Sequence, residues 1–232
     1  MTQAHFDNAR PVKVAVWDLP TRLFHWTLVL LIVFSVTTVK VGGEWMIWHE
    51  RSGRALLVLL TFRIVWGFIG GEHARWINFI CSPFKAMRYA MGVASGRDER
   101  YLGHNPLGAY SVIALLAAVA TQGITGLFVD DAIVNQGPLV NLVSSKVVEW
   151  ATRIHHWNER VIYGLIAVHL GAIFFYLFKK KDNLIGPMIH GSKQWHESVE
   201  SSAARGSPLL ALVVLVAVGA VVLYLTRRAL VV

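Results

Sequence analysis

Apolar residues fall into five long runs separated by polar stretches: about Leu23 to Val39, His49 to Ile69, Pro106 to Phe128, His155 to Phe178 and Leu209 to Leu225. Each approaches the roughly 20 residues that an α-helix needs to cross about 30 Å of hydrocarbon. The first run reaches that length when it extends to Thr21 and Val41. Pro106 suits a first helical turn, where its missing N–H costs nothing. Between the second and third runs, Cys81 to Asn105 interleaves Phe84, Met87, Tyr89, Ala90 and Met91 with Lys85 and Arg88. That is the pattern of an amphipathic helix lying on a membrane surface. Asp130 to Thr152 reads as a loop whose Leu139, Val140, Leu142, Val143, Val147 and Val148 can cover one end of a bundle. The predicted fold class is an all-α membrane protein, a four-helix transmembrane bundle plus a fifth C-terminal transmembrane helix. Residues 1–190 form the bundle domain, and residues 191–232 form a linker and the last helix. That helix has no His, Asp or Glu and reads as a packing helix or anchor.

Composition strengthens this reading. Hydrophobic residues make up 55% of the chain and charged residues 16%, against about 45–50% and about 25% in soluble domains; mean hydropathy is +0.50. The net charge of +8 lies between the apolar runs, where topology signals sit, and not on a nucleic-acid-binding face. With the N-terminus inside, 13 Lys and Arg face the cytoplasm, from the N-terminal tail (Arg10, Lys13, Arg22), the loop after the second span and the stretch from Lys179 to Arg205. Eight face outward, Arg227 and Arg228 among them. The bias predicts a cytoplasmic N-terminus in a bacterial inner membrane. The first 20 residues lack the apolar core of a signal peptide, so the first span is expected to direct insertion. The one cysteine, Cys81, can form no internal disulfide and cannot supply an iron–sulfur cluster. No C-x-x-C-H occurs, which excludes covalent c-type haem attachment.

Of ten histidines, His25, His49, His155 and His169 lie within or at the ends of predicted spans, with His156 beside His155. Ionisable groups at membrane depth are costly and usually functional; the plainer alternative is a histidine hydrogen-bonded across packed helices. His155 and His169 are 14 residues apart, about 40° short of four full turns and about 21 Å along one helix face. His156 would face about 100° away, so His155 is the better partner of His169 in this geometry. The topology sets His25 near the inner surface with His169, and His49 near the outer surface with His155. Two imidazole pairs stacked across a bilayer are what a transmembrane electron wire of two haems requires, since neutral imidazole suits iron and axial ligands approach from opposite faces. The bundle is thus predicted to be di-haem.

Gly108 and Gly126, 18 residues apart on the third span, share a face, and Gly53 lies one turn after His49. Each permits close approach of a ligand or of another helix. Haem propionates need cations, and Arg51, Arg54 and Arg153 at the outer level and Arg22 at the inner one are candidates by the bidentate geometry of arginine. Arg63, inside the second span, must pair or reach for the inner surface.

The stretch Trp17-Asp18-Leu19-Pro20-Thr21-Arg22-Leu23-Phe24-His25-Trp26 resembles the opening of the bacterial cytochrome b561 and nickel-hydrogenase cytochrome b family. His49-x-x-x-Gly53, Asn105-Pro106-Leu107-Gly108 and Val168-His169-Leu170 are similar to later parts of it, and the resemblance spans roughly residues 12–190. His156 stands where the family more often has an acidic residue. The resemblance implies two b haems, His25, His49, His155 and His169 as axial ligands, and electron exchange with quinone. It implies a quinone site near the cytoplasmic haem, with Trp17, Asp18 and Arg22 as candidates; Asp18 also fits a helix cap. The expected function is electron transfer between quinone and a redox partner at the outer surface, such as a hydrogenase, another dehydrogenase or a cytochrome c. Whether the chain turns over a substrate by itself stays open. The alternative is a haem-free transporter using the histidines as a proton relay, which calls for broken helices or inverted repeats; no repeated pair occurs. A zinc enzyme lacks its H-E-x-x-H motif, and a passive anchor would not need histidines matched in depth.

Overall fold

The computed structural model describes residues 12–97, 99–133, 135–195 and 206–227; Arg10, Arg205 and Arg228 of the charge count lie outside them. A short strand β1 (Val12–Ala15) precedes the first span, α1 (Leu19–Val41). A tight turn through Gly42 and Gly43, both at positive φ, leads into α2 (Met46–Ile69). The short α3 (Trp76–Phe79) and α4 (Pro83–Ser95) follow, then α5 (Pro106–Gly126) and α6 (Ser145–Phe178). The chain ends in α7 (Ile185–His190), β2 (Ser192–Trp195) and α8 (Pro208–Leu225).

Five of these helices are long and apolar enough to cross a membrane: α1, α2 with the turn before it, α5, α6 and α8. The protein is therefore a multi-pass, all-α membrane protein. Side-chain exposure bears this out, because the apolar stretches of α6 and α8 are only 6% buried. Such exposure of leucine, valine and phenylalanine is intolerable in water and ordinary in lipid. Three of the five spans begin at a side-chain cap, Asp18, Asn105 and Ser207. Asn105 accepts from Gly108 N at 2.7 Å and Ser207 accepts from Leu210 N at 3.3 Å, each with proline in the first turn. The amphipathic segment forms α4, opened by Ser82 and Pro83 and closed by Gly96 in the left-handed conformation. Ala86 and Tyr89 face the protein, while Phe84, Met87 and Met91 are exposed on the opposite side.

The fourth span starts ten residues before the predicted boundary, at Ser145. Its extra turns are amphipathic rather than apolar and carry an i,i+4 pair, Glu149–Arg153 at 3.0 Å, so a hydropathy criterion passes over them. In the loop before it, Leu127, Val129 and Pro138 line a cavity at one end of the bundle. Of the apolar residues expected to cover that end, none lines the cavity, Leu142 and Val147 are exposed, and Val147 and Val148 belong to α6.

α2 is the central element. It packs against α1, α5 and α8, and α5 packs against α6, whereas α1 and α6 make little contact. One core gathers Phe24, Phe62, Trp66, Ala74 and Ala211, and a second Leu60, Ala118, Val119 and Ile162. β1 pairs antiparallel with β2, Val12 opposite Trp195, which ties the segment before α1 to the segment after α7. Asp18 anchors the same end. Its carboxylate caps α1 by accepting from Thr21 N at 2.8 Å. It also accepts from Trp66 Nε1 at 3.2 Å and Gly71 N at 3.0 Å, joining the start of α1 to the end of α2.

Losing Asp18 removes a cap and strands two buried donors, together worth about 2–4 kcal/mol. Asp18→Ala should lower the unfolding temperature in detergent by several degrees, and Asp18→Asn, which keeps one acceptor oxygen but turns an amide NH2 toward the other donors, should recover only part of the loss. Equal unfolding temperatures for all three proteins would show that the anchor contributes nothing.

Candidate haem-binding sites

At the end of the bundle away from the β1–β2 pair, a cavity of about 300 Å³ opens between α2, α5, α6 and the loop after α5. His49 and His155 both line it. Their ring centroids are 6.3 Å apart and their planes perpendicular. Each ring is held through Nδ1. His49 Nδ1 is 2.9 Å from the Ser35 carbonyl and His155 Nδ1 is 3.0 Å from the Gln122 carbonyl. A carbonyl only accepts, so Nδ1 carries the proton in both rings and Nε2 is left with its lone pair. Ser35 Oγ and Thr125 Oγ1 lie 3.1 and 3.2 Å from the same nitrogens. Asn158, three residues after His155, donates to Ala118 O and Gln122 Oε1, both at 2.8 Å, and fixes α6 against α5. His156 also borders the cavity but is exposed.

The glycines divide by role. A Cβ on Gly126 would come within 3.0 Å of His155 Cε1, so glycine there makes room for the ring. A Cβ on Gly53, which lines the cavity, would meet nothing within 4 Å, so Gly53 leaves open space beside His49. Gly108 meets only its own cap, Asn105, and Gly123 instead receives Leu57 of α2. Of the outer arginines, Arg54 lines the cavity; it pairs with Glu50 at 3.3 Å and its buried Nε has no partner. Arg51 is not brought there: its guanidinium lies 4.8 Å over the Trp48 ring on the exposed side of α2. Arg153 pairs with Glu149 and covers Trp150.

The opposite end is richer in unsatisfied groups. Among the described residues, the buried polar atoms without a partner there are Thr21 Oγ1, Arg22 Nε, His25 Nδ1, Arg63 Nη1 and His104 Nδ1. Arg63 is 3% exposed and lies 4.2 Å over the Trp76 ring, so it neither pairs directly nor reaches the surface. His104 stacks on Trp17 and Phe79, with centroids 4.7 and 4.6 Å away. Burial holds its pKa down to about 3, and the positive groups Arg63, His73, His169 and His25 add to the effect. Burial lowers the pKa of His73 as well. The three inner candidates for quinone are each engaged: Asp18 as described, Arg22 with the Ile189 carbonyl, and Trp17 with His104 and His73.

The model of the prokaryotic cytochrome b561 family matches residues 16–191. The chain belongs to that family. It is also 24% identical to a probable Ni/Fe-hydrogenase B-type cytochrome subunit of Bradyrhizobium diazoefficiens, over 79% of this chain and 87% of that protein. Similar relatives carry the same description in Azotobacter chroococcum, 24% identical over 81% and 91%, and in Escherichia coli, where the Ni/Fe-hydrogenase 1 subunit is 22% identical over 82% and 93%.

Haem b is what such a cytochrome holds, and the residues present fit it. An imidazole nitrogen on a metal sits about 2.0–2.1 Å from it and about 1.1 Å from its own ring centroid, so two imidazoles on opposite sides of one iron have centroids roughly 6.3 Å apart. The His49–His155 separation meets that requirement. At the opposite end the unpartnered atoms belong chiefly to arginines and histidines, which suits an anionic, acceptor-rich group. Sequence reasoning passed over Arg63 as a site residue, although its charge inside a span marked it. It also missed His104, whose place next to Asn105 at the mouth of α5 gave no periodic signal. The carbonyls of Ser35 and Gln122 had none at all, because any residue supplies a carbonyl.

Gly126→Leu should change the haem spectrum, since the added side chain displaces the His155 ring. Gly164→Ala, whose Cβ meets nothing within 4 Å, should keep every haem signal and add up to about 1 kcal/mol of helix stability. Equal spectra in the two variants would sever Gly126 from the site.

Proposed function

We propose that this cytochrome carries electrons across the membrane through two b haems, one held by His49 and His155 and the other by His25 and His169. The observation that carries the reading is the outer pair, two imidazoles at iron-spanning distance with both Nδ1 protons spent on carbonyls. That hydrogen bond fixes the tautomer and raises the basicity of the coordinating nitrogen. Haem b bound between such rings supplies one-electron exchange at its iron. The protein's own part is to hold the rings, leave the space that Gly53 opens, and place Arg54 at the outer edge and Arg22 and Arg63 at the inner one for propionates. His155 and His169, about 21 Å apart on α6, set the span of the wire.

The proposed electron route joins a membrane quinone to a hydrogenase at the outer surface, the partner that the relatives' names favour; another dehydrogenase or a cytochrome c would meet the same end of the bundle. The quinone is placed at the inner end, against Trp17 and Arg22, with Asp18 holding that wall in position. The orientation is N-terminus inside, in the bacterial inner membrane, from the Lys and Arg bias.

The purified protein should give about two b haems per chain in a pyridine haemochrome assay with a reduced-minus-oxidised spectrum. His155→Ala and His169→Ala should each remove a different one. A single haem in the unmodified chain, or both spectra intact in His169→Ala, would overturn the assignment.

A further inference from the structure

On the face that carries β1 and β2, a second cavity of about 620 Å³ lies clear of all four haem histidines. Its walls come from five segments: Lys13 of β1, Arg100 before α5, Lys181 and Asp182 after α6, His190 of α7, and Lys193 and Trp195 of β2. One charge pair closes on itself. Lys193 Nζ donates to Asp182 Oδ2 at 2.8 Å and to the Tyr101 carbonyl at 3.2 Å. Lys13, Arg100 and Lys181 remain, with no carboxylate partner among the described residues. Three cations that repel one another are thus converged on one hollow.

Lys181 is held there against its backbone preference. It takes φ +55°, the left-handed conformation that glycine or asparagine usually supplies at a helix end, while Asp182 N donates back to Tyr176 O at 2.9 Å. Glycine would close α6 more easily; lysine adds a charge to the cavity. The hollow also begins three residues after a span that ends at Phe178, which sets it at the level of lipid headgroups.

We propose that this cavity binds the phosphodiester headgroup of an anionic phospholipid, with Lys13, Arg100 and Lys181 as its ligands. Phosphate chemistry fits the three donors, and the position at the end of α6 favours lipid over soluble phosphate as its source. Basic pockets between spans on one membrane face take such headgroups. The site is separate from electron transfer, so its failure leaves the haem assignment untouched.

The test uses the full chain purified with its haem, and reads thermal stability and native mass spectrometry with added phosphatidylglycerol, phosphatidylcholine or inorganic phosphate. Phosphatidylglycerol should bind and stabilise, with phosphatidylcholine without effect. Arg100→Gln and Lys181→Gly should each weaken phosphatidylglycerol binding about fivefold. Lys181→Gly relieves the backbone and should unfold no earlier than the parent without lipid, so a lost response there is not a folding defect. Lys146→Gln, on the opposite face, should bind as the parent does. Equal response to both lipids, or unchanged binding in Arg100→Gln and Lys181→Gly, would overturn the proposal. Saturation by inorganic phosphate with no response to phosphatidylglycerol would overturn the lipid as its source.

Discussion

A polar group inside hydrocarbon has no water to turn to, so every one must find its partner within the protein or a bound ligand. In the helices the main chain satisfies itself, and the problem passes to the few polar side chains at depth. Here they are histidines, an arginine, an asparagine and a handful of hydroxyls. The rest of the architecture follows from how each is satisfied. His49 and His155 give their Nδ1 protons to main-chain carbonyls on neighbouring helices, which leaves the lone pair of each Nε2 free. Asn158 spends both its amide hydrogens on α5. The contacts that pay for burying these groups are the same ones that aim them.

The two ends of the bundle solve the problem differently. At the outer end the imidazoles are fully oriented by the protein, and glycine supplies the clearance. At the inner end several donors stay unmatched: Arg63, Arg22, His25 and His104. Leaving one buried donor unpaired costs about 1–3 kcal/mol, so a cluster of them marks a place completed by an acceptor-rich group. Hydrogen bonds orient the rings at the His49–His155 end, and buried cationic and imidazole groups gather at the other.

α2 links both ends. It carries His49 at its start and Arg63 and Trp66 near its finish, and it is the helix on which α1, α5 and α8 all pack. The Asp18 carboxylate ties its last turn to the first turn of α1. α1 and α6, which carry His25 and His169, make little contact with each other. A cofactor-binding bundle needs such a separation, because helices packed at full density leave no room for a ring.

Five spans, the surface helix α4, the caps at Asn105 and Asp18 and the helical alignment of His155 with His169 were all legible in the sequence. They rest on periodicity, length and local hydrogen bonding, which are set by near neighbours in the chain. The ten-residue extension of α6 ahead of His155 was not, because its turns are polar and a span criterion reads only apolar ones. Nor was the difference between Arg51 and Arg54: three residues on a helix turn by about 300°, yet only packing decides which side is the cavity. The sequence by itself determined which residue types lie at membrane depth and at what spacing. Tertiary structure alone decided which carbonyl meets each imidazole, which arginine turns inward, and that His104 joins Arg63 at the inner end, because these contacts join segments far apart in the chain and depend on how the helices pack.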